Sequence, residues 1–405
     1  MKRYAFEGIH VLDFTWYGVG PVTTKYLADN GADVIRIESR TRVDGLRMAP
    51  PWKDGKPDLD GSQFFASYNT SKKGITLDMS KPKARELFLR LLPWADVVSE
   101  SFTPKTLRNW ELDYAHLSAI KPELIMLSTC MMGQSGPHRD YAGFGNLMAA
   151  ISGFYSIAGY SPDELCPPYG AYTDFIAPRF SACALIAALD YKRRTGKGQY
   201  IDMSQYEAAL HFLAPAMVDY FASGRVLQPC GNRSERYAPH GAYRCADEGE
   251  HERWIAIAVA TDEQWTAMLE ILRPGASDRP FASAAERFAN VSALDDLVGG
   301  LVRGRQVEEL TAALQQAGVA AYPVQNCMDL HHDPNLEAFD FWHWLDHAKM
   351  GPSPYEGLEH RLSRTPGELR WPAPTLGQHN EEIFGELLGM SRAEIAELIE
   401  QKVIF

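Results

Sequence analysis

Apolar and polar residues alternate most clearly between residues 8 and 38. Residues 9–14 alternate as a strand does and lead into a turn that contains Gly18 and Gly20. A helix-compatible stretch follows, and residues 34–37 form a second apolar strand. Short links between strand, helix and strand are typical of a βαβ unit, so the pattern predicts two parallel strands.

The same alternation continues along the chain. Residues 75–78, 97–98 and 124–127 are predicted strands, and residues 82–93 are a predicted helix that opens with proline. This alternation favours an α/β sheet covered on both faces. The pattern turns helical from about 180 to 222, interrupted by a strand-like segment at 200–203. A new strand at 254–259, a helix at 262–272 and helices near 305–317 and 380–401 follow a Gly- and Pro-rich stretch.

The composition is that of a globular protein with an acidic balance. Of 405 residues, 45% are hydrophobic and 23% are charged, which is enough apolar material for a large core. Asp and Glu number 52 against 40 Lys and Arg, which gives a net charge of −12. Nucleic acids and anionic lipids repel such a chain, so we expect neither a nucleic acid nor a membrane as partner.

The sequence predicts neither export nor membrane insertion. The first seven residues lack the apolar core of a secretory signal, and no run reaches the roughly 18 apolar residues of a membrane-spanning helix. The six cysteines are scattered, without a CxxC pair or the histidine spacing of a zinc site. We therefore expect reduced thiols, no metal and a cytoplasmic location.

The first turn shares some features with a dinucleotide-binding loop. Gly18 and Gly20 stand at the turn, and the acidic Glu38 closes the next strand. The dinucleotide fingerprint requires a third glycine three residues beyond the second, where this chain has Thr23. The residues therefore favour a tight strand-to-helix turn over an NAD or FAD site.

Asp174 is a single carboxylate in an apolar and aromatic stretch, 172–178. Asp is a preferred N-cap, and Pro178 suits the first turn of a helix that begins a few residues later. A carboxylate in apolar surroundings also marks catalytic sites. The two roles are compatible, because a helix start keeps a carboxylate ionised and therefore nucleophilic.

Two further charged segments favour structural roles. The run 193–199 lacks the Walker order, in which Lys precedes Ser or Thr, and fits a basic helix end followed by a glycine stop. The histidines at 331, 332, 343 and 347 have no acidic ligands at matching helical spacing, so we predict no metal there. No Gly-x-Ser-x-Gly sequence supplies a hydrolase serine.

Taken together, the motifs resemble those of the class III CoA-transferases (CaiB/BaiF type), the family of formyl-CoA transferase and carnitine CoA-transferase. The resemblance covers nearly the whole chain, in five segments that follow the family's order. These segments are 8–38, 69–79, 195–204, 376–380 and 388–390.

The resemblance implies that Asp174 is the catalytic nucleophile. In this family the aspartate attacks an acyl-CoA to give a mixed anhydride, the released CoA thiolate then forms an aspartyl-CoA thioester, and the acceptor acid takes over the CoA. The implied substrates are an acyl-CoA and a carboxylic acid, with no tightly bound cofactor. Backbone N–H groups of a glycine-rich loop are the expected oxyanion donors.

The resemblance also implies where CoA binds. The expected contacts lie in four short segments, with two cations nearby: Gly18, Val19, Ser39, Arg40, Leu77, Asp78, Met79, Ser101, Phe102, Thr103, Arg108 and Arg139.

Three positions depart from the family's pattern. Ser39 stands where several relatives have Arg, and Asn109 stands where formyl-CoA transferase has one. Pro178 replaces a glycine that many relatives carry four residues after the catalytic aspartate. We expect this proline to stiffen the helix start and to reshape the acceptor pocket.

Two alternatives remain open at the level of sequence. The α-methylacyl-CoA racemases resemble this family in fold, but they use a His-Asp pair where this chain has Phe144 and Gly145, neither of which can move a proton. A CoA-binding partner subunit of a hetero-oligomeric transferase is the other alternative. The presence of Asp174 argues against an inactive subunit.

The resemblance implies a Rossmann-like α/β large domain with a parallel sheet, a smaller α/β domain and an interlocked homodimer, with a homologous subunit as a further option. The predicted domain limits are 1–222 for the N-terminal part of the large domain, 223–315 for the small domain with its linker, and 316–405 for the returning part. Residues 224–243, with Arg225, Arg233, Arg236 and His240, are either an acid-recognition segment or a solvated linker. The run 238–241 resembles relatives that act on substituted succinates.

Overall fold

The chain divides into two units in the computed structural model, which describes residues 4–405. Residues 1–3, part of the N-terminal stretch and of the predicted segment 1–222, lie outside the described range. The larger unit contains the residues up to Tyr155, Pro168–Val226 and Ala338–Phe405, and the smaller unit contains Ser156–Pro167 and Leu227–Glu337. The limits 1–222, 223–315 and 316–405 stay predictions of domain boundaries.

The described chain contains strands and helices in the following order. The strands are β1 His10–Asp13, β2 Asp33–Glu38, β3 Lys73–Thr76, β4 Val97–Glu100, β5 Ile125–Cys130, β6 Gly159–Ser161, β7 Glu164–Leu165, β8 Gln199–Ser204, β9 His240–Arg244, β10 Trp254–Ala258, β11 Ala320–Pro323, β12 Trp342–His347 and β13 Gly351–Glu356. The helices are α1 Val19–Asp29, α2 Gln63–Ser67, α3 Pro82–Leu91, α4 Lys105–Asn109, α5 Tyr114–Ile120, α6 Gly145–Ile151, α7 Phe154–Ile157, α8 Tyr172–Thr195, α9 Gln205–Phe212, α10 Ala214–Ser223, α11 Asp262–Leu272, α12 Ala284–Ala289, α13 Val291–Val302, α14 Val307–Gln316, α15 Cys327–Leu330, α16 Pro334–Ala338 and α17 Arg392–Glu400. A π-helical segment spans Glu381–Leu387.

The six-stranded sheet of the larger unit has the order β3-β2-β1-β4-β5-β8, and all its strands are parallel. The chain moves outward from β1 through β2 to β3 and then returns to β4 on the other side of β1. The connection that follows β1 and the connection that follows β4 therefore run in opposite directions along the sheet. The carboxyl ends of these two strands form a crevice of the kind in which α/β proteins bind ligands. The predicted α/β fold with a parallel sheet is confirmed.

Apolar side chains cover both faces of this sheet. One face packs against α3 and against the C-terminal residues 383–404, with Phe88 and Phe384 fully buried. The other face packs against α1 and α8 through Leu27, Ala177 and Leu185. Successive residues of each strand point to opposite faces, which explains the near-continuous apolar strands that the sequence shows.

Helix α8 begins at Tyr172, earlier than the helical pattern predicted. Asp174 therefore lies within the first turn, and the expectation that it is the N-cap is wrong: Ala171 stands at the cap, without a side-chain hydrogen bond. Pro178 lies inside the helix rather than at its start. Because proline has no N–H, it cannot donate the helical hydrogen bond to the carbonyl of Asp174, four residues earlier.

The smaller unit has a core of its own. Its three-stranded antiparallel sheet has the order β11-β10-β9. Residues of α11, α13 and α14 pack on one face of the sheet, around the fully buried Trp265. The strand predicted at 254–259 and the helix predicted at 262–272 are confirmed as β10 and α11.

Candidate active site

Two cavities open at the carboxyl ends of β1 and β4. The larger, about 520 Å³ and here called the edge cavity, is lined by residues that end or follow β1, β2, β3 and β4. The smaller, about 150 Å³ and here called the Asp174 cavity, lies next to it. The two share a wall of six residues: Trp16, Tyr17, Ser101, Phe102, Thr103 and Ala142.

Most of the predicted CoA-contacting residues line these two cavities. Leu77, Asp78 and Met79 line the edge cavity. Gly18, Val19 and Arg139 line the Asp174 cavity. Ser101, Phe102 and Thr103 line both. Four segments that are distant in sequence thus meet because the strands that precede them are neighbours in one parallel sheet.

The predicted cations Arg40, Arg108 and Arg139 do not all line these two cavities. The residues that line the edge cavity include Arg42 and Ser39 but not Arg40, and Arg42 stacks on the ring of Trp16 at 5.9 Å. Arg108 lines a third cavity, of about 420 Å³, on the far side of the 101–103 segment. The side chain of Arg139 is half exposed and lies 3.9 Å from Asp140. The sequence therefore missed Arg42 as a candidate phosphate contact.

Asp174 is partly buried, and its carboxylate accepts hydrogen bonds only from uncharged donors. The amide of Gln205 donates to Oδ1, and the backbone N–H of Gly145 donates to the carboxylate. No described residue forms an ion pair with Asp174 within residues 4–405. Burial raises the pKa of Asp174 to about 6, although the Gln205 and Gly145 hydrogen bonds oppose the rise.

Two glycines allow the backbone to approach this carboxylate closely. A Cβ atom at Gly145 would lie 2.6 Å from Oδ1 of Asp174, and one at Gly18 would lie 2.8 Å from its Cβ and 3.1 Å from its Oδ2. A side chain at either position would therefore force Asp174 to shift. Gly18 stands at the start of α1 and Gly145 at the start of α6, so two separate elements close around Asp174.

Gln205 also helps to position the backbone of Gly145, whose N–H donates to Asp174, and it does so through Thr173. Its Nε2 donates to Oγ1 of Thr173 at 2.8 Å, and that hydroxyl donates to the carbonyl oxygen of Gly145 at 2.9 Å. Both side chains are buried. Sequence reasoning missed Gln205 and Thr173. The available signal was the position of Gln205 just after the strand-like segment 200–203, which the structure shows as the parallel strand β8, at the edge of the sheet where ligands bind.

Tyr17 has a backbone conformation that is unusual for an aromatic residue. Its φ is 59°, in the left-handed region. The carboxylate of Asp44 accepts its N–H at 3.2 Å, and the fully buried Arg36 pairs with that same carboxylate. The ring of Tyr17 contacts Phe144 edge-on at 5.1 Å. The buried charges below the sheet edge therefore hold the wall between the two cavities in a strained shape.

Glu100 supports the other side of that wall. Its carboxylate accepts the N–H of Phe102 at 2.7 Å and the side-chain amide of Gln134 at 3.1 Å. The same amide donates to the carbonyl oxygen of Phe102 at 3.2 Å. Burial raises the pKa of Glu100 to about 7. Glu100 and Gln134 together fix the backbone that follows β4.

The predicted acid-recognition residues fall in both units. Arg225 belongs to the larger unit and pairs with Asp219 at 2.6 Å. Arg233 and Arg236 are exposed in the smaller unit, where the ring of His240 hydrogen-bonds to the carbonyl oxygen of Asn232 at 2.6 Å. The role of these residues stays a prediction.

The part of the chain that the structure describes contains neither a metal-binding cluster nor a membrane-spanning helix. Within residues 4–405, no three His, Cys, Asp or Glu side chains are arranged to hold a metal ion. Over the same range, every helix is too short or too polar to cross a membrane.

Comparison with known proteins identifies the family. Residues 6–380 match the model of CoA-transferase family III. The chain is 32% identical to succinyl-CoA–D-citramalate CoA-transferase of Chloroflexus aurantiacus, over 98% of each chain. It is 30% identical to a succinyl-CoA–L-malate CoA-transferase alpha subunit of the same species, over 100% of this chain and 93% of the relative.

A solved structure shows the same fold. The crystal structure of a CaiB/BaiF family protein from Brucella suis superposes with a TM-score of 0.87 at 30% identity, over 95% of this chain and 100% of that one. The sequence-based predictions of the family and of an enzyme that transfers CoA are confirmed: the chain belongs to CoA-transferase family III.

Proposed function

We propose that the protein transfers CoA from an acyl-CoA to a carboxylic acid, with Asp174 as the covalent nucleophile. The observation that carries this proposal is the chemistry of the Asp174 cavity. Asp174 is the one carboxylate among the residues that line it, and it has no cationic partner within the described chain. A carboxylate that is desolvated and uncompensated is more reactive than one held in an ion pair.

The geometry suggests which oxygen attacks. Gln205 holds Oδ1, whereas Oδ2 lies beside the backbone of Gly18. In the first step Oδ2 attacks the thioester carbonyl, the C–S bond breaks, and a mixed anhydride and CoA thiolate result. The thiolate then attacks the aspartyl carbonyl carbon and releases the donor acid, which leaves an aspartyl-CoA thioester.

The second half of the reaction reverses these steps with a new acid. The acceptor carboxylate attacks the aspartyl-CoA carbonyl and expels the thiolate, which then attacks the acyl carbon of the new anhydride. The products are the new acyl-CoA and the regenerated Asp174 carboxylate. Each step exchanges one acyl bond for another of similar energy, provided that water is excluded from the cavity.

The two cavities suggest how the substrates are divided. The CoA part of the substrate lies in the edge cavity, whose lining includes the cation Arg42. The acyl group extends past the shared wall into the Asp174 cavity. The volume of about 150 Å³ favours a small acid. A succinyl-CoA donor and a short dicarboxylate acceptor are supported by the named activities of the two relatives, with Arg139 as the candidate contact for the second carboxylate.

The proposal is tested by trapping the acyl-enzyme. The protein is incubated with succinyl-CoA, treated with hydroxylamine or borohydride, digested and mapped by mass spectrometry. The modification is expected on Asp174, and Asp174→Asn is expected to lose the adduct and to reduce transfer by about 10³-fold or more. Glu100→Gln is the matched control, since Glu100 is also a buried carboxyl group with a raised pKa, and it should retain the adduct. An adduct elsewhere, or none with any donor, would contradict the mechanism.

We also propose that two copies of the chain form the predicted interlocked homodimer. Helix α10 is rich in apolar residues, yet none of its residues is buried in the single chain. Val218 is 64% exposed and Phe221 is 87% exposed. Apolar faces of this kind mark subunit contacts. Light scattering of the purified protein should give twice the chain mass of 45.3 kDa, and a monomer mass would contradict the assembly.

A further inference from the structure

The side chain of Thr129 is buried in the wall of the Asp174 cavity with its hydrogen-bonding capacity unused. The residue is 1% exposed and lines that cavity. Its Oγ1 atom has no hydrogen-bond partner among residues 4–405. A buried hydroxyl without a partner is unfavourable, so such a group in a ligand cavity indicates that the occupant supplies the missing partner.

The alternation of β5 explains why Thr129 faces this cavity. Ile125 and Leu127 pack with α8, whereas Met126 packs on the opposite face of the sheet. Thr129 continues the series 125, 127, 129 and therefore faces the side on which Asp174 lies. Its neighbour Ser128 faces the other way and hydrogen-bonds to Glu100. The orientation of Thr129 is thus fixed by the strand and not by a flexible loop.

The register places Thr129 beside the residues that hold Asp174. Thr129 pairs with Met203 of β8, and Gln205, which donates to Asp174, begins α9 two residues later. Thr129, Asp174 and Gln205 all line the Asp174 cavity. An acyl group that Asp174 attacks therefore shares this cavity with the Thr129 side chain.

We propose that Thr129 determines substrate specificity by donating a hydrogen bond to an oxygen substituent of the acyl group other than the thioester carbonyl. The preferred substrates are then short acids that carry a second oxygen function, and plain alkanoates leave the hydroxyl unpaired. This inference rests on the proposed CoA transfer, because it assumes that the acyl group occupies the Asp174 cavity. It assigns to Thr129 a role in recognition and none in bond breaking.

The experiment compares two thioesters of equal chain length. Succinyl-CoA ends in a carboxylate and butyryl-CoA ends in a methyl group. Thr129→Val keeps the shape of the side chain and removes the hydroxyl. The ratio of kcat/KM for succinyl-CoA over butyryl-CoA should fall by about 5- to 100-fold, because the wild-type preference depends on a hydrogen bond that the variant cannot make. Thr129→Ser, which retains a hydroxyl, should keep most of the preference.

A matched control comes from the smaller unit. Thr311 is also buried with an unpartnered hydroxyl, but it lies on α14 and outside the Asp174 cavity. Thr311→Val should leave the ratio unchanged. Equal losses for both thioesters with Thr129→Val, or no change for either, would overturn the proposal.

Failure of the proposed transfer activity is distinguishable from failure of this inference. If the wild type transfers no CoA from either donor, the proposed function fails. The Thr129 inference is then judged by calorimetry with the same variants: the dissociation constant of succinyl-CoA should rise in Thr129→Val while that of butyryl-CoA stays the same. Parallel changes in the two dissociation constants would overturn it.

Discussion

Two acidic residues of the larger unit, the buried Glu38 and the partly buried Asp174, differ in the groups that donate hydrogen bonds to them. Below the sheet edge, the carboxylate of Glu38 receives Nε and Nη2 of Arg47 at 3.0 and 2.7 Å and Nε of Arg36 at 3.2 Å. Although burial acts to raise its pKa, the two guanidinium groups lower it to about 2. Asp174 receives only amide donors, and its pKa rises to about 6.

This difference separates a structural carboxylate, Glu38, from the proposed nucleophile, Asp174. A charge held by two arginines is stabilised and therefore unreactive, and it serves to tie β2 to the segment that contains Arg47 and Asp44. A charge held by amides alone keeps its electron density available to a substrate carbonyl. Under the proposed mechanism, similar carboxylate groups perform opposite tasks because one is paired with cations and the other is not.

The largest expected effect is a loss of stability when one of the cations that pair with Glu38 is removed. Arg47→Met leaves Glu38 with Arg36 as its remaining cation, and the loss should reduce the free energy of unfolding by about 3–5 kcal/mol. Urea unfolding followed by circular dichroism measures this loss.

Lys83→Met is the surface control for that experiment. Lys83 pairs with Glu86 at 2.7 Å, but both side chains are at least half exposed. Its loss should cost at most about 1 kcal/mol. If the two substitutions cost the same, the buried cluster has no special structural role.

An intermediate effect, on the pH dependence of the rate, is expected when a hydrogen-bond donor to Asp174 is removed. Gln205→Leu removes the amide that stabilises the ionised Asp174, so the pKa of Asp174 should rise above its value of about 6. Since attack requires the carboxylate, the rate of CoA transfer should increase with pH through that pKa in the wild type. In the variant the midpoint should move upward by about one pH unit, with up to a tenfold loss at pH 6 that recovers at higher pH.

The control for this pH profile is Gln63→Leu. Gln63 donates to the carbonyl oxygen of Pro354 at 2.8 Å, away from both cavities. It should leave the midpoint unchanged. A loss of rate in Gln205→Leu that is equal at every pH would show that Gln205 acts on geometry and not on the ionisation of Asp174.

The smallest expected effect is the change in the free energy of unfolding when Asp174 is replaced. The pKa of Asp174 is higher in the folded chain than the ordinary value of 3.8, so the folded state binds the proton more tightly and ionisation destabilises it. A rise of about two pKa units corresponds to at most about 3 kcal/mol, and the partial exposure of Asp174 reduces this cost, which grows between about pH 4 and pH 6. Asp174→Asn should therefore stabilise the protein by about 1 kcal/mol at pH 8 and by nothing measurable near pH 3. Thermal unfolding at the two pH values measures the difference, and a destabilised variant at pH 8 would contradict it.

The fold was accessible from sequence because its signals are local. Strands β1, β2, β4 and β5 each contain an apolar run, and the βαβ unit at residues 8–38 is confirmed as β1, α1 and β2. The family followed from short motifs in a fixed order. The helix that carries Asp174 was misjudged because an internal proline normally indicates a helix start, whereas Pro178 lies well inside α8.

The candidate site was only partly accessible because it depends on contacts between distant residues. Thr173 and Gln205 are 32 residues apart, and no pattern in either segment indicates that they meet. Arg40 and Arg42 have the same charge two positions apart, and only the path of the loop decides which one lines the edge cavity. Thr129 reads as an ordinary strand residue until the contents of its cavity are known.

The two glycines around Asp174 also affect how this protein can change over generations. A glycine codon becomes an alanine codon by a single base change, and alanine is accepted in most turns and helix starts. At positions 18 and 145 the added methyl group would occupy the space directly against the Asp174 carboxylate. Such a mutant should keep its sheet, its edge cavity and helix α10 while the Asp174 carboxylate is forced to shift. Under the proposed mechanism, a duplicated copy of this gene is one base change away from a folded subunit with impaired catalysis.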